Sequence, residues 1–342
     1  MTTEKKKTVW FWIAVCLVML AFFCFRAVSP AQAGSVTLKM ATAEGGRDSL
    51  TGKSLDYWAE LIEKSSNGEI KIQVYYQGDL GGQPETFDQF VKGDIDLMLT
   101  WPMTSYDKRI GLLFTPYIFL NWEDALAAFR PGGWMNRVMD DLFGELGIKV
   151  FGTWPEGFNG IATRGKYATT IEAAKGIKVR TPPVFPWADT LHAMGYQTAE
   201  IAWNELGTAM RNGAVDGDSA NIIFWDYKYL KDIIEYYVHT EHIFMAGHLA
   251  MNKKSWQKLT TQHQKCIADA AVKVMEKQFQ DGRATDEDYR QKAMDHGIRY
   301  IALKPEEKAA YVKAVREAIW PEMEKVVGEK IMDQVRANAS QP

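Results

Sequence analysis

Arg180 closes a short apolar stretch containing Ile177 and Val179, and Thr181-Pro182-Pro183 follows it. Proline lacks an N–H and biases the residue before it away from helix, so a strand stops there with its last charged side chain at an edge, aimed at a cleft. A guanidinium held in this way is a two-pronged donor for one carboxylate or similar oxyanion. Taken alone, Arg180 reads as half of an ordinary surface ion pair. Its neighbours change that reading: an aromatic-rich helical segment with Phe185 and Trp187, then Trp203, then Ala214-Val215-Asp216-Gly217.

Two other groupings carry residue types suited to chemistry. Gly46 to Ser54 follows a strand pattern and precedes a helix, like a phosphate-binding loop, but its first glycine comes one residue early and Arg47 stands at the required position. It reads better as a solvent-facing loop closing over a ligand, with Glu44 nearby. His239, Glu241, His242 and His248 are metal-ligand types, and the competing reading they support is an exported metal-dependent hydrolase. Their spacing is one residue short of the inverted zinc-protease motif, and strand alternation sends His239 and His242 to opposite faces. No metal and no cofactor is therefore expected. There is no Gly-x-Ser-x-Gly elbow and no cysteine paired with a suitable histidine, so the chain reads as a binding protein rather than an enzyme.

Strand and helix patterns alternate throughout, as in an α/β protein with open sheets. Val36 to Met40 alternates as a strand; a helix with Leu55, Trp58, Leu61 and Ile62 on one face ends at Asn67-Gly68. Strands follow at Ile70 to Tyr75 and Ile95 to Leu99, with a short helix at Pro84 to Val91 between them. Further strands are expected near Lys149 to Gly152, Gly160 to Thr163, Ile177 to Arg180 and Val215. Ile243 to Met251 reads as a return strand, Lys254 to Met294 as a long helical region, Gly297 to Leu303 as a strand and Pro305 to Val335 as mainly helix.

The first 33 residues read as an export signal. Lys5, Lys6 and Lys7 precede an uncharged apolar run from Val9 to Phe25, and Ala31-Gln32-Ala33 is a small-x-small cleavage site. Phe23 before Cys24 argues against a lipid anchor. Cleavage after Ala33 would remove four basic residues and one acid, moving the formal charge from −3 to −6. A mildly acidic exported chain is a poor partner for nucleic acid or anionic membrane surfaces. Cys16 and Cys24 would leave with the signal, so Cys266 remains without an intramolecular disulfide partner.

Nearly all of the chain after residue 34 resembles the solute receptors of the tripartite ATP-independent periplasmic (TRAP) transporters, of the DctP type. The resemblance is carried by Ala59-Glu60-Leu61-Ile62-Glu63-Lys64 leading to Asn67-Gly68-Glu69-Ile70-Lys71-Ile72, and by Tyr76-Gln77-Gly78-Asp79-Leu80-Gly81. Lys92-Gly93-Asp94-Ile95-Asp96 and the Gly176 to Arg180 element complete it. It implies a two-lobed, type II-like periplasmic binding fold with open mixed sheets flanked by helices and one long helix spanning both lobes. The corresponding expectation is lobe I from 34–156 plus 246–285, and lobe II from 157–245 plus 286–342. It implies a monomeric periplasmic receptor that passes a small organic anion, a carboxylate or a short sulfonate, to small and large membrane permease subunits; a membrane-bound sensor is the other possible client.

The resemblance also implies site roles. Arg180 would pair with the ligand carboxylate and Trp203 would cover its carbon skeleton. The loop after the third strand, with Trp101 and Thr104, lacks the charged groups of sugar-acid receptors and points to a smaller, less polar ligand. Asn159 stands where those receptors carry a second arginine, with Arg164 nearby as a substitute. Ala220 aligns with a family contact and Asn221 adjoins it. Glu44 and Trp154 complete the candidates, with Trp187, Trp225 and Phe185 as further members of an aromatic wall.

Overall fold

The structure is a computed structural model that describes residues 35–341. The expected signal and cleavage site, with Cys16 and Cys24, lie outside the described residues. In chain order the elements are β1 (Val36–Ala41), α1 (Leu50–Ser65), β2 (Ile70–Tyr75), α2 (Gln83–Lys92), β3 (Leu97–Thr100), a 3-10 segment (Lys108–Phe114), α3 (Trp122–Phe129) and α4 (Trp134–Glu145). Next come β4 (Ile148–Phe158), β5 (Ile161–Thr163), α5 (Ile171–Ala174), β6 (Lys178–Thr181), α6 (Trp187–Ala193), β7 (Gln197–Glu200), a 3-10 turn (Trp203–Glu205) and α7 (Leu206–Arg211). The chain ends with β8 (Gly217–Asp218), α8 (Ile223–Leu230), β9 (Tyr236–His239), β10 (Phe244–Asn252), α9 (Lys253–Gln257), α10 (Thr261–Asp295), β11 (Arg299–Ala302), α11 (Pro305–Val327) and α12 (Glu329–Asn338).

Two sheets define two lobes. One has the order β2-β1-β3-β10-β4, the other β11-β9-β5-β8-β6-β7. Both are mixed: β1 and β3 are parallel while β10 runs antiparallel to β3 and β4, and β6 is parallel to β7 and β8 while β5 opposes β8 and β9. The apolar faces of α1, α2 and α4, through Leu55, Trp58, Phe87, Phe90, Met139 and Phe143, are fully or almost fully buried. Burying each such side chain contributes about 1.5–3 kcal/mol, which outweighs any single polar contact at the surface.

The 35-residue helix α10 spans about 52 Å at 1.5 Å per residue and packs on β4 and α1 of one lobe and on α8 and β11 near the other. Its close seat on β4 depends on Gly152, where a Cβ would lie 2.5 Å from Met275 Sδ. Gln278 Nε2 adds a hydrogen bond to the Pro155 carbonyl at 2.8 Å. The helical region splits after α9 because Thr260, with extended backbone, caps a new N-terminus by accepting from His263 N. The C-terminal helix likewise divides at Gly328, whose φ of 85° suits glycine. Phe185 precedes α6 rather than belonging to it, since the helix begins after Pro186. The segment from 108 to 145, unassigned from the sequence, forms the 3-10 segment, α3 and α4.

The chain passes between lobes where β4 leads to β5 and β9 leads to β10. Asn159 ties the two passages together. Its Oδ1 accepts from Ile243 N at 2.9 Å, its Nδ2 donates to the Ser219 carbonyl at 3.1 Å, and its backbone exchanges hydrogen bonds with Ile243 and Glu241. Nδ2 also lies 2.9 Å from His242 Nε2. All of this is buried, and a buried group left unpaired costs about 1–3 kcal/mol. Asn159→Ala should therefore lower the unfolding free energy by roughly 2–3 kcal/mol. Urea denaturation of the ligand-free protein checks this; an unchanged midpoint would show that the clamp is dispensable.

Candidate functional site

Between the lobes lies a cavity with about 590 Å³ of unfilled space, part of it continuous with solvent. Most of its lining comes from the loops at the carboxyl ends of parallel strands, the place where open α/β sheets present ligand groups. Glu44 follows β1; Trp101, Pro102 and Met103 follow β3; Arg180, Pro182 and Val184 come from β6 and its exit; Trp203 follows β7; Ala220 and Asn221 follow β8. Gln83, Phe114, Glu156, Trp187, Trp225 and Met245 complete it.

Arg180 is only 2% exposed and is oriented from two sides. Its Nε donates to the Ile201 carbonyl at 2.7 Å and Nη1 to Asp218 Oδ1 at 3.2 Å, while Nη2 has no hydrogen bond among the described residues. The β6 and β8 ladder places Arg180 and Asp218 directly opposite each other, so the ion pair follows from strand register. Asp218 Oδ2 in turn accepts from Ala220 N at 3.0 Å, fixing the loop that follows β8. Burial pushes the Asp218 carboxyl upward while Arg180 pulls it back down. Asp226 is pushed well above the carboxylate range by burial and then by the Asp218 charge. It accepts from Asn221 Nδ2 at 2.8 Å.

Lining the same cavity from the other lobe are Glu44 and Glu156. Gln83 Nε2 donates to Glu44 Oε1, and Trp225 Nε1 donates to Glu156 Oε2 at 2.8 Å. Burial raises Glu44 to about 7, with Gln83 and Arg180 opposing the rise. Burial raises Glu156 to about 8; Trp225 opposes that shift, and the Glu44 charge adds to it. Glu156 reaches the cavity because β4 is irregular. Met245 pairs with Gly157 and Ala246 with Pro155, so Glu156 is the extra residue of a β-bulge, a device that re-aims a side chain.

The tryptophans form the walls. Trp203 meets Trp225 edge-on at 6.1 Å, and Phe114 meets Trp187 at 5.1 Å. The indole N–H groups of Trp187 and Trp203 have no partner among the described residues. Trp101 packs edge-on against Trp154 at 6.1 Å. Trp154 itself does not line the cavity; it is fully buried, donates to Ser54 Oγ at 3.0 Å and buttresses Trp101 from behind. Thr104 is also outside the lining, where its Oγ1 accepts from Phe185 N at 2.9 Å and latches one lobe to the other. Lys228 and Asp48 form a second cross-lobe contact at 2.7 Å. Asn159 is the clamp described above and does not reach the cavity, and neither does Arg164.

Six of the nine candidates, Arg180, Trp203, Trp101, Asn221, Ala220 and Glu44, therefore share one cavity, joined by Trp187 and Trp225. Glu156, Gln83, Phe114 and Met245 were missed. Glu156 had a visible signal, as the one charged residue between Phe151 and Phe158. The histidines do not converge: His242 is held between Thr240 Oγ1 and Asn159, and His248 lies in β10 against the Phe143 ring. Burial lowers both to about 3. Among the described residues no group of three or more His, Cys, Asp or Glu is arranged to hold a metal. In the segment resembling a phosphate loop, Ser49 caps α1 and Thr51 Oγ1 donates to the Glu44 carbonyl, so these hydroxyls are spent on backbone.

Residues 41–325 match the family described as bacterial extracellular solute-binding protein, family 7. The chain belongs to that family, the solute receptors of TRAP transporters. A solute-binding protein of Chromohalobacter salexigens is 23% identical over 292 residues, covering 81% of this chain and 83% of the relative. The sialic acid-binding periplasmic protein SiaP of Vibrio cholerae is 22% identical over 326 residues, covering 94% and 98%. Among solved structures, a TRAP periplasmic solute binding protein from Desulfovibrio salexigens with bound orotic acid superposes with a TM-score of 0.81 at 19% identity, covering 88% of this chain and 98% of the other. The family is one of extracytoplasmic receptors that serve membrane permeases, and no enzyme activity is indicated for it. Among the described residues no helix is long and apolar enough to cross a membrane.

The raised glutamates carry a stability signature. Below the ordinary carboxyl value of 4.5 both are protonated folded or unfolded; as pH rises toward 7 and 8 the folded state keeps protons that the unfolded chain releases. Stability present at low pH is therefore lost as pH rises through that window. Asp286 on α10, raised to about 7 by burial, adds to the slope. The ligand-free protein should melt lower at about pH 8.5 than at about pH 6, and Glu156→Gln should flatten part of that difference. Equal pH slopes for wild type and variant in thermal melts would contradict the assignment.

Proposed function

We propose that this protein captures a small organic acid in the interlobe cavity and delivers it to a TRAP membrane permease. The observation that carries the reading is the Arg180 guanidinium, buried and oriented by Asp218 and Ile201, with Nη2 left for a ligand oxyanion. Trp203 and Trp101 cover the carbon skeleton, with Ala220, Asn221 and Glu44 as further contacts. Asn159, Trp154 and Thr104 act from behind the lining. The described lining contains no Ser, Thr, Cys, Lys or His. Orotic acid in the Desulfovibrio protein supports the ligand class, because a carboxylate on a flat or short skeleton suits one guanidinium among indoles.

The receptor works as a periplasmic monomer released by cleavage after Ala33, with small and large permease subunits as its partners. Lobe I is 34–156 plus 246–285 and lobe II 157–245 plus 286–342, hinged where the chain passes between sheets. Ligand contacts to both lobes favour the closed form, which the permease reads. A thermal-shift screen of organic acids and short sulfonates identifies the ligand, since binding raises the melting temperature by mass action. Arg180→Lys keeps the charge but loses the fork, and should weaken binding by about 1.5–3 kcal/mol, roughly ten- to hundredfold. Undiminished affinity in that variant, with the fold intact, would overturn the reading.

A further inference from the structure

The cavity holds more acid than base. Arg180 is the one cation among its described lining residues, and Asp218 already opposes that charge from behind. Glu44 and Glu156 share the same enclosure. A plain monocarboxylate bound at Arg180 would leave a surplus of negative charge once either glutamate ionised, and unpaired charge out of water is costly. Glu44 is engaged at one oxygen by Gln83, which leaves its other oxygen as an acceptor for a ligand, while Glu156 is held by the indole N–H groups of Trp225 and Trp101 at the wall of the same space. Trp101, Trp187, Trp203 and Trp225 surround these carboxyls, and indole faces attract cations. Glu156 is 3% exposed and reaches this space only through a break in the β4 ladder, so an acid here is built in rather than left over.

We propose that the ligand is amphoteric: its carboxylate sits on Arg180, and an N–H-bearing cation, an ammonium or amidinium, sits opposite on Glu44 and Glu156 within the indole walls. Such a ligand supplies one charge of each sign, so one glutamate can ionise with no more surplus negative charge than a plain acid leaves when both glutamates are neutral. The inference rests on the cleft being the ligand site, as argued above.

Calorimetric titration of the purified protein with matched acid pairs tests it: proline against cyclopentanecarboxylate, β-alanine against propanoate, and guanidinoacetate against butanoate. In at least one pair the nitrogen-bearing acid should bind about tenfold or more tighter than its plain counterpart. Glu44→Gln and Glu156→Gln should each weaken that acid roughly tenfold more than the plain one, a change of preference that general loss of structure cannot produce. If the plain acids bind as tightly as their partners and Arg180→Lys weakens both, the inference fails and the organic-acid reading stands. If no member binds, and none of a wider set of amino, imino and amidino acids raises the melting temperature, the inference fails as well. If acids bind but Arg180→Lys changes nothing, the cleft reading itself fails.

Discussion

A guanidinium taken out of water has to be neutralised, and the structure around Arg180 is arranged to do so incompletely. Asp218 faces it in strand register and the Ile201 carbonyl takes its Nε, yet among the described residues Nη2 has no partner. A fully satisfied arginine would be a structural ion pair, and a wholly unpaired one would be too costly to bury. The half-satisfied state lets a ligand oxyanion complete the set, so ligand binding and relief of desolvation are one event.

The fold supplies the precision this needs. Strand ends in both lobes converge on one space, and the bulge in β4 brings Glu156 into its lining. Thr104 with Phe185, and Lys228 with Asp48, are short polar contacts between the lobes, outside either core. Behind them α10 and the Asn159 clamp hold the passages between sheets. In the proposed function, lobes joined at these passages would let one acid group arriving at Arg180 become a change of shape.

Much of this was legible in the sequence for definite physical reasons. Proline after Thr181 stops β6 and announces where Arg180 must sit, and Trp101 follows a strand pattern whose carboxyl end makes a site, while Trp203 was marked by the family resemblance. The amphipathic stripe of α10 and the glycine turn after α1 were equally plain. What stayed hidden depended on tertiary context. Asn159 has the chemistry of a ligand contact, but three backbone and side-chain partners claim it. Trp154 looks like a wall residue and is a buttress. Glu156 was missed because strand alternation cannot foresee a bulge, and the short helices between 108 and 145 lack the long periodicity that reveals a helix.

The central claim is that Arg180 completes its hydrogen bonding with the ligand's oxyanion. The most direct test is a crystal structure of the protein with a bound organic acid. The account predicts both carboxylate oxygens within hydrogen-bonding distance of the Arg180 guanidinium, Nη2 among the donors, with Asp218 still in place behind it. A ligand seated elsewhere in the cleft, with Nη2 turned to a protein acceptor, would contradict it.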